Sequence, residues 1–132
     1  MPQSFSYPIT FLHCKNLAEI RSFYEGILHL TAIFSESQCI IYKIGKKNHF
    51  GYWGFCSHYS DFLEHPERIC LTLVVDTKED VDAWYKELVS KNVKCIKKPA
   101  FMPEFKIYSS FYRDPMNHTL EIQVFDEKII FN

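Results

Sequence analysis

The 132 residues suffice for one domain with its own core and are too few for two ordinary domains. A hydrophobic share of 47% with 23% charged residues excludes disordered, collagen-like and coiled-coil classes. Net charge is −1, with no block of five like charges, so no nucleic-acid partner is expected.

Aromatic residues are abundant (Phe 12, Tyr 8, Trp 2) and glycines number only four. That balance favours strands and a ring-lined interior over glycine-rich phosphate loops. No apolar stretch approaches the roughly 20 residues that span a bilayer, so no membrane partner is expected. The opening Met-Pro-Gln-Ser-Phe-Ser has neither a basic nor an apolar signal region. A cytoplasmic location with reduced thiols follows as an expectation. The five cysteines form no CxxC, and Cys14, Cys39, Cys56 and Cys95 read as core fillers.

Ile9–Cys14 reads as a strand. Asn16 then caps a helical pattern, with Glu19 three residues on as in a capping box. Leu17, Ile20, Phe23, Tyr24, Ile27 and Leu28 share one helical face. Strands are predicted at Thr31–Phe34, Cys39–Ile44 and His49–Phe55, with a turn at Gly45–Asn48. Cys56–Arg68 is a connection.

The pattern then repeats. Cys70–Val75 is a β-branched strand, and Asp76 or Thr77 caps a helix whose apolar face is Val81, Trp84, Tyr85, Leu88 and Val89. Strands follow at Val93–Lys97, Lys106–Arg113 and Thr119–Phe125. Lys98–Phe105, with Pro99 and Pro103, reads as an irregular loop that would serve as a lid. Asp114-Pro115-Met116-Asn117 is a β-turn, since Pro presets one dihedral and Asn tolerates positive φ. The tail Asp126–Asn132 ends in Ile-Ile-Phe, a surface for packing. Each half is thus βαβββ, module one at about 5–56 and module two at about 68–126 of a single domain, an internal repeat that sets the architecture. The fold class is α+β.

Three stretches carry a family resemblance. Asn16-Leu17 through Phe23-Tyr24 to Ile27-Leu28-His29-Leu30 resembles a first helix with an "FY…LG" ending. The second is Cys70–Asp76 with its helix. The third, Phe111-Tyr112-Arg113-Asp114-Pro115-Met116-Asn117-His118-Thr119-Leu120-Glu121, is similar to an "F-x-DP-x-G-x-x-x-E" ending. In order and spacing they resemble the vicinal oxygen chelate superfamily of glyoxalase I, bleomycin-resistance proteins and extradiol dioxygenases. The resemblance implies two tandem modules whose sheets form a curved mixed sheet around a cavity, and a homodimer. In the family's metalloenzymes the first and last strands of each module hold a divalent metal. Carried over, those positions are Ile9, which cannot ligate; Tyr52, with His49 as a misaligned neighbour; Cys70, where His is usual; and Glu121, which fits. Glu121 and Cys70 are therefore the candidate metal ligands, and no resident cofactor is expected beyond that divalent ion.

Other candidates come from strand alternation. In Thr119–Val124, Glu121 and Gln123 share the polar face that would line the cavity, so Glu121 is the catalytic candidate and Gln123 a ligand contact. Phe11 and His13 fall on one face with Ile9; His13 reads either as a core histidine bonded to backbone or as a pocket group. Cys70 and Thr72 share a face, Cys70 being either a small buried hydrophobe or a thiolate activated by a nearby base. Phe50, Tyr52 and Trp53, interleaved with Gly51 and Gly54, read as an aromatic core strand or a stacking wall, with Tyr108 added. His29 stands where Gly is common at this helix end, and a contact with the helix C-terminus is expected of it.

Three functions fit: binding of a small hydrophobic or aromatic molecule without a complete metal site; a metal-dependent lyase, isomerase or dioxygenase using Glu121; or an interaction module with a vestigial pocket. The fold alone does not choose.

Overall fold

A computed structural model describes residues 2–59, 61 and 63–126. Contacts divide the chain into two compact units, Met1–Leu63 and Glu64–Asn132.

In the first unit, β1 (Thr10–His13) leads to α1 (Leu17–Ile20), which widens into a π-helical turn at Arg21–Glu25. Then come β2 (Thr31–Ser35), β3 (Cys39–Lys46) and β4 (His49–Cys56). The sheet order is β1-β4-β3-β2, with β1 parallel to β4 and the other pairs antiparallel. Asn16 starts α1 as expected: its side chain accepts from the Ala18 and Glu19 amides at 2.9 and 3.3 Å, satisfying donors that the helix itself leaves unpaired.

The apolar positions of that helical segment bury against one sheet face. Ile20, Phe23, Tyr24 and Leu28 meet Leu12, Ile40, Tyr42 and Phe55 in a core dense in rings. Buried Tyr42 donates to Glu25 at 2.8 Å, and Arg21 pairs with the same Glu25 oxygen at 2.9 Å. Burial and that carboxylate hold the Tyr42 phenol well above its ordinary pKa.

His29 ends this segment at φ 60°, in the left-handed region that suits glycine. Its side chain is exposed, so replacement by glycine loses little packing. His29→Gly is expected to stabilise the protein by about 1 kcal/mol, read as a higher urea midpoint at unchanged m-value.

The second unit repeats the plan. A 3₁₀ turn at Pro66–Arg68 precedes β5 (Cys70–Val74), α2 (Lys78–Ser90), β6 (Cys95–Met102), β7 (Ile107–Arg113) and β8 (Thr119–Phe125). The order is β5-β8-β7-β6, with β5 parallel to β8. Thr77 caps α2 by accepting from the Asp80 amide at 3.1 Å. Val81 and Leu88 are fully buried, whereas Val89 is exposed, so the apolar stripe of α2 is narrower than its sequence suggests. Strand–helix–strand–strand–strand thus occurs twice, each sheet with its own helix. This is the tandem βαβββ, α+β architecture.

One expectation fails. Lys98–Phe105 is not an irregular loop. β6 continues to Met102, with Ala100, Phe101 and Met102 paired to Ser109, Tyr108 and Ile107. Pro99 sits where the register shifts, on the edge strand, the place in a sheet that tolerates a residue without an amide donor. Only the turn at 103–106 remains. Within the tail, residues 127–132 lie outside the described residues.

Candidate functional site

In each unit the sheet has one face under its helix and one free of it. Strand alternation decides which side chains share the helix-free face.

In the first unit the register Phe11↔Gly54, His13↔Cys56 and Lys43↔Tyr52 puts Phe11, His13, Lys43, Phe50, Tyr52 and Cys56 on that face. Phe11, on the edge strand, and Phe50, near the β3–β4 turn, are each 45% exposed. Tyr52 links Phe50 to Tyr7. Its ring lies 4.9 Å from Tyr7 and 5.7 Å from Phe50, the latter edge-on. The Lys43 ammonium stands 4.5 Å over the Phe50 ring. The result is a strip of rings with a cation at one end.

The two glycines of β4 differ. Nothing lies within 4 Å of a Cβ built at Gly51, whereas one at Gly54 would come within 2.5 Å of the Phe11 ring. Gly54 is therefore the seat of that ring. Gly54→Ala is expected to displace Phe11 at a stability cost below about 1 kcal/mol, because the displaced group is a partly exposed side chain and not backbone. Unfolding curves and NMR shifts of the Phe11 ring check it.

His13 is held within the unit. Its Nδ1 lies 2.9 Å from the Asp61 carbonyl oxygen, and Tyr59 stacks on its ring at 3.7 Å. It is bonded to backbone but part-exposed on the helix-free face, not in the core. Trp53 faces the other way, its register partner being Tyr42 and its ring edge-on to Tyr24 beneath the helix. It does not join the strip. His49 alternates with Phe50 and so falls on the face opposite Tyr52. Tyr7 and Lys43 were not legible as site residues: Tyr7 precedes the first strand, and Lys43 reads as a solvated charge.

In the second unit Thr72↔Glu121, Val74↔Gln123, Ser109↔Gln123 and Phe111↔Glu121 define the helix-free face. Glu121 and Gln123 are each only 8% exposed, and Ser109 is fully buried. Thr72 donates its hydroxyl to Glu121 Oε1 at 2.8 Å, and the Cys70 thiol lies 3.9 Å from the same oxygen and 3.6 Å from Thr72. The structure thus brings Cys70, Thr72, Glu121 and Gln123 together. Cys70 is exposed at the residue level, against the buried-hydrophobe alternative. Its thiol is nonetheless shifted up, by partial burial first and by the Glu121 charge, against a lowering hydrogen bond from Thr72. At neutral pH it is a thiol and not an activated thiolate. Tyr108 is on the opposite face, donating to Asp82 of α2 at 2.7 Å, and it does not join the cluster.

The donor set fits a divalent metal poorly. Zinc sites use three or four protein ligands. Of the family positions, the second unit offers one carboxylate and one thiol, and Ile9 is a hydrocarbon. Among the described residues no group of three or more His, Cys, Asp and Glu side chains is placed to hold a metal.

A further constellation escaped the sequence reading. Asp114 and His118 are both buried, with His118 Nδ1 2.7 Å from Asp114 Oδ2. The other carboxylate oxygen accepts from the Met116 and His118 amides at 2.9 and 2.8 Å. This pair fixes the turn into β8, where Asn117 takes φ 66°. His118 was legible only as one letter of the family's ending.

Among the described residues no helix is long and apolar enough to cross a membrane. No curated protein matches the chain in sequence. Solved structures do match. A glyoxalase/bleomycin resistance protein/dioxygenase family enzyme from Burkholderia phytofirmans superposes with a TM-score of 0.73 at 19% identity, over 88% of this chain and 95% of that one. A glyoxalase/bleomycin resistance protein/dioxygenase from Nocardioides gives 0.75 at 11%, over 100% and 91%. A lactoylglutathione lyase from Agrobacterium tumefaciens gives 0.71 at 17%, over 93% and 95%. At these identities the likeness carries the fold. The profile of the Glyoxalase/Bleomycin resistance protein/Dioxygenase superfamily matches residues 8–122, nearly the whole of both βαβββ repeats, and the chain belongs to that superfamily.

Proposed function

We propose that this protein binds a small, flat, apolar or aromatic molecule, and that it does so without a complete catalytic metal site. The observation that carries the reading is the ring strip of the first unit. Phe11 and Phe50 stay half-exposed on the helix-free face that also carries Tyr52, whereas Phe23, Tyr24, Tyr42 and Phe55 of the same unit are buried. Exposed contiguous rings with a few polar groups are the usual chemistry of small-molecule sites. Lys43 adds one charge at the edge of the strip. The second unit, by itself, holds Glu121 and Gln123 buried on the face that its own helix leaves open.

The metal-dependent alternative is supported by a single observation, the Glu121 carboxylate beside Cys70. Two donors fall short of a tight site. Kinship of fold with a lactoylglutathione lyase does not supply the missing ligands. A homodimer, as the family resemblance implies, belongs to the same proposal and is read by sedimentation equilibrium.

The test is a thermal-shift screen of flat aromatic compounds, since a ligand specific for the native state raises the midpoint by linkage. Phe50→Ala and Tyr52→Ala are each expected to weaken a hit about tenfold, or about 1.4 kcal/mol. Hits that bind both variants as tightly as the parent protein would overturn the reading.

A further inference from the structure

The first unit buries a thiol pair that the ring strip does not use. Cys39 opens β3 and Cys56 closes β4, and the two are register partners across the antiparallel pair. Their sulfurs lie 2.9 Å apart, and both residues are buried. The neighbouring ladder bond shows which kind of pair this is. Ser57 donates its amide to the Gln38 carbonyl at 2.9 Å, making 38 and 57 a hydrogen-bonded pair. Bonded and non-bonded pairs alternate along an antiparallel ladder, so Cys39 and Cys56 form a non-bonded pair, the kind with its side chains closest. A disulfide needs its sulfurs at about 2.05 Å and its Cα atoms roughly 4.4–6.8 Å apart, which such a pair meets with little movement.

We propose that Cys39 and Cys56 form a reversible cross-strand disulfide, making the β3–β4 hairpin a redox-sensitive clamp. The bond would tie the open end of the hairpin whose body carries Lys43, Phe50 and Tyr52. It would also form next to His13, the register partner of Cys56 on β1. The oxidant is a small-molecule disulfide. One protein thiol attacks it and releases one small thiol. The second protein thiol then displaces the other, so two S–H bonds give one protein S–S bond and two small thiols. Burial, followed by the neighbouring Cys39, pushes the Cys56 thiol up to about 12, so the exchange is slow at neutral pH and accelerates as pH rises.

The experiment incubates the native protein with glutathione disulfide, alkylates it and maps the peptides. The expected result is a Cys39–Cys56 cross-linked peptide and a thiol titre that falls from five to three, the chain having five cysteines and the bond using two. Dithiothreitol restores five. The oxidised protein also melts at a higher temperature, and Cys39→Ser abolishes both changes. Cys39 and Cys56 remaining alkylatable, a cross-link through Cys14 instead, or a stabilisation that persists in Cys39→Ser would each overturn the proposal.

Discussion

Asp114→Ala is expected to destabilise the protein by about 3–5 kcal/mol, the cost of removing one partner of a buried charged or hydrogen-bonded pair. The carboxylate accepts from the Met116 amide, the His118 amide and His118 Nδ1, all within 2.9 Å. Alanine supplies none of these, and the buried His118 has no room to turn to water. Asp114→Asn keeps an acceptor for the two amides and should lose about half as much. The effect reaches the site through register. The turn sets where β8 begins, and β8 places Glu121 opposite Thr72. Urea unfolding checks the stability, and accessibility of Cys70 to alkylation reports whether the Thr72–Glu121 cluster has moved. A cost below about 1 kcal/mol would mean that the turn is held by Pro115 and Asn117 alone.

Tyr24→Ala should be as severe, at about 3–5 kcal/mol. Tyr24 is fully buried at the centre of the first unit's core. Its ring lies 4.7 Å from Phe55, 5.0 Å from Phe23, 6.1 Å from Tyr42 and 6.2 Å from Trp53. Three of those four residues are on β3 and β4, the strands whose opposite faces carry Lys43, Phe50 and Tyr52. Emptying this position leaves a cavity under the ring strip, and a close-packed interior relaxes only partly into it. Ligand binding is therefore expected to weaken along with stability, although Tyr24 faces away from the strip. Equilibrium unfolding measures the first effect and titration of a thermal-shift hit against the variant measures the second.

The sequence was most readable where polar and apolar residues alternate. Thr119–Val124 alternates polar and apolar residues without a break, and β8 spans Thr119–Phe125 as expected. Asn117 stands where a left-handed residue is needed, and it takes that conformation. Readability fell where alternation lacks contrast. In His49–Phe55 nearly every side chain is a ring, so the residues alone did not separate Tyr52, on the strip, from Trp53, beneath the helix. Tyr108 was misread for the same reason, within a run of Tyr, Ser and Phe. Pro99 signalled a loop, because strand order was needed to see that β6 is an edge strand that accommodates it. The partner of His13 is a main-chain oxygen 48 residues away, which no side-chain pattern encodes. Cys39 and Cys56 read as two core fillers until the register paired them.

The central claim is binding by rings, independent of metal. Its most direct test is calorimetric titration of the best aromatic hit, once with a chelator and once with added zinc, against the parent protein, the Phe50→Ala/Tyr52→Ala double variant and Glu121→Ala. The account predicts equal affinity with and without metal, and a loss of at least about tenfold in the double variant, with the two effects coupled because the rings are in contact. Affinity that appears only with zinc and vanishes in Glu121→Ala, while the ring variants bind normally, would contradict it and would make the Glu121–Cys70 cluster a metal centre.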